Sequence, residues 1–112
     1  MKKILTTILL LSLFASCSVS PYYWGSYEKV TYKYNKNMTP EARANVMENY
    51  QSVINYCKQS TSKEVPPGIY ADYGYLLIQD GQVDLGKSYM EKEMELYPES
   101  KKIVTYLLDR IK

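Results

Sequence analysis

Pro66-Pro67-Gly68-Ile69-Tyr70-Ala71-Asp72-Tyr73-Gly74-Tyr75-Leu76-Leu77-Ile78-Gln79-Asp80-Gly81 is the stretch that decides the fold of this 112-residue chain. A residue preceding proline avoids the helical region, so the two prolines and Gly68 turn the backbone. A helix is then expected over about 69–80, with Ile69, Tyr70, Tyr73, Leu76 and Leu77 forming one apolar stripe. Gly74 lies on the same side. Glycine inside a helix costs ~1 kcal/mol relative to alanine, and close approach of another helix is the usual reason to keep it. Gly81 stands where a helix ends in a left-handed residue.

Working outward, a helix is expected over about 83–97, with Leu85, Gly86, Tyr89, Met90, Met94 and Tyr97 on its inner face. Pro98 breaks it. A last helix over about 99–111 carries the stripe Ile103, Val104, Leu107, Leu108 and Ile111. Upstream, Thr39 is a good N-cap, Pro40 suits the first helical position, and Glu41 favours the positive end of the dipole. They open a helix of about 19 residues whose stripe is Val46, Met47, Tyr50, Val53, Ile54 and Cys57. Arg43, Glu48, Asn49, Gln51 and Lys58 cover its other side. Cys57 reads as a buried free thiol. Glu91, Glu93, Glu95 and Glu99 interleave with Lys87, Lys92, Lys101 and Lys102, the pattern of a solvated helix face.

Residues 22–34 support two patterns. Val30, Tyr32 and Tyr34 alternate with Lys29, Thr31 and Lys33, as in a half-buried strand. Trp24, Tyr27, Thr31 and Tyr34 also make a helical stripe. No partner strand is visible, which favours the helix.

The spacing of Tyr70, Tyr73, Gly74, Leu77, Gly81, Gly86, Met90 and Pro98 resembles a tetratricopeptide repeat. Gly86 and Glu93 depart from it, since alanine is usual at both. Residues 22–58 would form a second, worn unit and the last helix its cap. The expected fold is all-α: short antiparallel helical hairpins, tetratricopeptide-repeat-like, behind a cleaved signal peptide. Repeats need neighbours to bury their faces, so docking on a partner is expected.

At the N-terminus, Lys2 and Lys3 precede an apolar run from Ile4 to Phe14. As a helix at ~1.5 Å per residue it reaches roughly 16 Å, about half of a ~30 Å hydrocarbon core. That suits a signal peptide and not a span. Leu13-Phe14-Ala15-Ser16-Cys17 resembles the lipobox of bacterial lipoproteins, in which the cysteine is acylated and becomes the new N-terminus. Residues 1–16 are thus expected to be removed. Residues 17–21 form a lipidated Cys17 and a short tether, and 22–112 form the helical domain. Several acyl chains at ~0.8 kcal/mol per buried CH₂ make a stable anchor. Ser18 resembles the outer-membrane default, which places the chain on the periplasmic face of that membrane.

Composition narrows the chemistry. Of 14 Lys+Arg, Lys2 and Lys3 leave with the signal, so twelve face twelve Asp+Glu and the mature chain is neutral. No excess of positive charge remains for nucleic acid. There is no His, the commonest general base and transition-metal ligand. Two Cys build neither a disulfide framework nor a zinc site. No phosphate loop, nucleophile elbow or metal-spaced cluster is visible. No cofactor, metal or catalytic residue is expected.

Three blocks carry a wider resemblance: Tyr22-Tyr23-Trp24-Gly25-Ser26-Tyr27-Glu28, Pro66-Pro67-Gly68-Ile69-Tyr70-Ala71 with Gly74-Tyr75-Leu76, and Lys92-Glu93 through Leu96-Tyr97-Pro98-Glu99-Ser100. They resemble an uncharacterised family of small bacterial lipoproteins, a domain of unknown function. Its members accompany a curli-secretion-channel-like lipoprotein and a third small lipoprotein. The resemblance implies a helper in an outer-membrane assembly or export system with such a channel protein as partner, and it favours a helix after Trp24. The candidate partner-binding residues are Tyr22, Tyr23, Trp24 and Tyr27, since Trp and Tyr dominate hot spots; an interfacial belt and plain core packing are the alternatives. Tyr32, Tyr56, Tyr75 and Tyr106 fall off the stripes and are expected at the surface. Competing functions are a small-ligand or glycan binder using exposed tyrosines and, with location as its only support, a cell-wall-acting enzyme.

Overall fold

Thr39 begins the longest helix as its chemistry asks: its hydroxyl accepts from the Ala42 amide at 3.1 Å, and Pro40 follows at the first helical position. The computed structural model describes residues 21–111, which form five α-helices. These are α1 (Tyr27–Lys36), α2 (Pro40–Gln59), α3 (Ile69–Gln79), α4 (Val83–Leu96) and α5 (Lys101–Asp109), with a short 3₁₀ turn (Pro98–Ser100) before the last. Among the described residues there is no strand, and Tyr22 and Glu64 make an isolated parallel bridge. Residues 22–34 therefore divide: Tyr22 to Trp24 run extended or irregular, and the helix begins at Tyr27. Signal peptide and Cys17 lie outside the described residues.

The helices pair as two hairpins, α1 with α2 and α3 with α4, and α5 closes the end. Val46, Tyr50, Val53, Ile54 and Cys57 of α2 share one core with Ile69, Tyr73 and Leu77 of α3, and Tyr27, Val30 and Tyr34 of α1 pack onto it. Ile78, Met90 and Val104 form a second core under α5, flanked by Leu107, Leu108 and Ile111. Arg43 ties the hairpins together. Its guanidinium pairs with Asp80 at 2.8 Å and donates to the Leu76 carbonyl at 3.1 Å, one of the last carbonyls of α3.

The tightest packing is between α3 and α4. A Cβ on Gly74 would stand 2.5 Å from the Gly86 carbonyl oxygen and 2.8 Å from Met90 Cγ. One on Gly86 would stand 2.5 Å from Ile78 Cγ1. Residue 74 meets 86 and 90 while 78 meets 86, so the two helices run antiparallel. Both glycines are thus explained by backbone contact. Gly81 ends the segment at φ +90°, as its position predicts.

The structure corrects four placements. Leu85 is 45% exposed, because the approach of the two glycines narrows the buried face of α4 to Gly86, Met90 and Glu93. Ile103 is 62% exposed; α5 packs by one side only, which Val104 occupies. Asn49 and Glu93, assigned to solvated faces, are both buried, Glu93 to 1% exposure. Tyr32, Tyr56, Tyr75 and Tyr106 are exposed and Cys57 is buried, as read from the stripes.

Candidate functional site

The segment that follows the expected tether is pinned at several points. The Glu64 amide donates to the Pro21 carbonyl at 2.8 Å, and the Tyr23 amide donates to the Glu64 carbonyl at 3.4 Å. Asn49 explains its own burial here: its Oδ1 accepts from the Ser26 amide at 2.8 Å, and its Nδ2 donates to the Trp24 carbonyl at 3.5 Å. The polar side chain thereby supplies an acceptor at the start of α1, where backbone amides lack helical partners.

The four aromatic candidates do not share one environment. Tyr23 stacks on Tyr56 with ring centroids 3.8 Å apart. Tyr22 meets the edge of Tyr97 at 6.4 Å. Tyr27 is half-buried and lies 6.3 Å from Tyr50, which leads on to Tyr73 and Tyr89. Trp24 leans on Tyr27 at 5.0 Å but is 39% exposed. Three of the rings dock this segment to the helices, and Trp24, packed on Tyr27, stays exposed.

The loop over residues 65–68 is gripped from α4. Glu93 Oε1 accepts from the Gly68 amide at 2.6 Å, and the Tyr97 hydroxyl, one turn later, donates to the Val65 carbonyl at 2.5 Å. Gly68 is the N-cap of α3 and has no side chain to cap with, so α4 provides the carboxylate. Glu93 Oε2 is buried without a hydrogen bond of good geometry. Burial raises the Glu93 pKa above the ordinary carboxyl value, and the Gly68 and Ala71 amides pull it partly back. Neither role was visible in the sequence, which marked Glu93 only as a departure from the repeat spacing that the chain resembles.

Beside this loop is a groove of about 360 Å³ between α2, the loop and α4. Its wall includes Cys57, Lys58, Lys63, Tyr70, Tyr89 and Lys92. The Tyr70 and Tyr89 rings lie nearly parallel at 6.0 Å, and the Lys92 ammonium sits 5.3 Å from the Tyr89 centroid and 5.9 Å from that of Tyr70. That cation lies over the aromatic surface a sugar would stack on. Burial pushes the Cys57 thiol pKa up, which keeps it protonated and unreactive. Among the described residues no group of acidic, Cys or His side chains is arranged to hold a metal, and no helix is long and apolar enough to cross a membrane. A second, larger groove of about 590 Å³ lies between α1 and α2, with Lys29, Lys33 and Lys36 along one side and Glu41 opposite.

No curated protein and no solved structure matches the chain. A family pattern does, over residues 22–107, which takes in all five helices but the last residues of α5. The chain belongs to the family described as the domain of unknown function DUF4810.

Proposed function

We propose that the chain is a lipid-anchored accessory module of an envelope assembly or export complex. Acyl chains on Cys17 hold it at the periplasmic face of the outer membrane, and its tetratricopeptide-like hairpins dock a protein partner. By resemblance that partner is a curli-secretion-channel-like lipoprotein.

One observation carries the proposal. Trp24 stands exposed on a segment that Asn49, Glu64 and the stacked tyrosines hold rigid, seven residues beyond Cys17. A rigid, partly exposed Trp with Tyr neighbours is the composition of a binding hot spot, and preorganisation lowers the entropic cost of association. The short tether sets that spot near the bilayer, where a membrane-embedded partner would meet it.

The test is site-specific photo-crosslinking in intact cells. A photoreactive residue at Trp24 should give one discrete adduct with an outer-membrane protein, and the same residue at Tyr75, on the exposed side of α3, should not. No adduct at position 24, or equal adducts at both positions, would overturn the proposal.

A further inference from the structure

The last helix carries two apolar faces. On one, Val104 is fully buried in the core it shares with Ile78 and Met90. On the other, Glu99, Ile103, Tyr106 and Arg110 follow at steps of four, three and four along the helical run from Pro98 to Arg110. That spacing puts them on one stripe. All four are exposed, Ile103 to 62% and Tyr106 to 53%. Two large apolar side chains at the centre and one charge at each end are the composition of a helix seam without its partner.

The order of the charges selects that partner. Read from its far end, the stripe runs Arg110, Tyr106, Ile103, Glu99. An identical helix laid antiparallel sets Ile103 of each copy against Tyr106 of the other, and Glu99 of each against Arg110 of the other. Lys102 and Asp109, both exposed, stand seven residues apart on one flank of the stripe. The antiparallel register brings Lys102 of each copy to Asp109 of the other. A parallel register would oppose Glu99 to Glu99, Lys102 to Lys102 and Arg110 to Arg110, and like charges so placed repel. Glu99, Lys102, Asp109 and Arg110 form no ion pair among the described residues. Arg110 does lie over the Tyr106 ring, 4.5 Å from its centroid. Stacking uses the flat face of the guanidinium and leaves the N–H donors at its edge open to a carboxylate.

We propose that two copies of this chain pair through α5, antiparallel, about a two-fold axis midway between Ile103 and Tyr106. Such an interface is isologous, so each copy supplies both halves of every contact. Glu99 to Arg110 covers roughly 16 Å of helix, which makes the contact small and reversible. The pairing uses neither Cys17 nor Trp24, so it stands or falls separately from the function proposed above.

The experiment is photo-crosslinking of the full chain in cells, with a photoreactive phenylalanine in place of Tyr106 or, for comparison, of Tyr32, which is 64% exposed on α1. Position 106 should give an adduct of twice the chain's mass, joined in the digest to residues 99–110 of a second copy, and position 32 should not. Glu99→Arg and Arg110→Glu each turn two attractive pairs into repulsive ones, and each should cut the yield of that adduct about tenfold. Cells making both single variants should recover it, because each variant then meets the reversed charge of the other. No adduct of doubled mass at position 106, an equal yield at position 32, charge reversals without effect, or variants that do not rescue each other would overturn the pairing. So would an adduct of position 106 with a different protein in place of a second copy.

Discussion

Replacing Gly74 by alanine sets two known effects against each other. Helix propensity alone favours alanine by ~1 kcal/mol. The packing opposes it: the new methyl would stand 2.5 Å from the Gly86 carbonyl oxygen and 2.8 Å from Met90 Cγ, where ordinary contact begins at 3.4 Å. Met90 is fully buried and the other obstacle is backbone, so α3 and α4 must separate by about 1 Å. Overpacking of this kind costs typically ~1–3 kcal/mol and occasionally more. With backbone as one obstacle the clash belongs in the upper part of that range, about 2–3 kcal/mol, so the net expectation is a loss of about 1–2 kcal/mol. For a domain of this size that lowers Tm by roughly 5–15 °C, measured by circular dichroism on a chain beginning at Pro21. Met90→Ala alone should cost ~2–5 kcal/mol, since Met90 is fully buried, but it should cost less in the Gly74→Ala background, where it also removes the side-chain obstacle, and that non-additivity reads out the contact. An unchanged or higher Tm for Gly74→Ala would refute the close crossing of α3 and α4.

Four further outcomes follow from the geometry. Glu93→Gln retains an acceptor for the Gly68 amide but cannot ionise. The folded pKa of Glu93 is raised above 4.5, so its contribution to stability is fully present below that pH and is lost as pH rises through the folded value; denaturant titrations should show Glu93→Gln gaining on the parent chain from about pH 4.5 upward. Tyr97→Phe strips the Val65 carbonyl of its donor and should cost about 1–2 kcal/mol by the same titration at neutral pH. Val104→Ala should cost about 2 kcal/mol or more, whereas Ile103→Ala, its exposed neighbour, should fall within about 0.5 kcal/mol of the parent. Cys57 should react with a thiol reagent only as fast as the fold opens, since burial both shields the thiol and raises its pKa; fast stoichiometric labelling of folded protein would contradict its place in the core.

The helices were legible because their signals are local. Thr39-Pro40-Glu41, Gly81 and the stripe from Val46 to Cys57 each announce an element by capping chemistry or periodicity, and each is realised. Gly74 and Gly86 gave the hairpin crossing, since a glycine in mid-helix has few other uses. What periodicity could not show was polar burial. Asn49 and Glu93 break the hydrophobic pattern and so look solvated, yet both are buried because distant backbone amides at Ser26 and Gly68 need acceptors. Ile103 failed in the opposite sense: an apolar residue was counted as core on the side of α5 that faces away from Ile78 and Met90. Of the aromatic candidates, residue type suggested a cluster, but only three-dimensional contacts separate the docking roles of Tyr22, Tyr23 and Tyr27 from the exposed Trp24.

The most direct measurement of the central claim is the intact mass of the protein extracted from purified membranes of the producing cell. A chain that begins at Cys17 and carries fatty acyl groups on that residue, recovered from the outer-membrane fraction, is the predicted result. A chain retaining residues 1–16, or one beginning elsewhere with an unmodified thiol at Cys17, would contradict it.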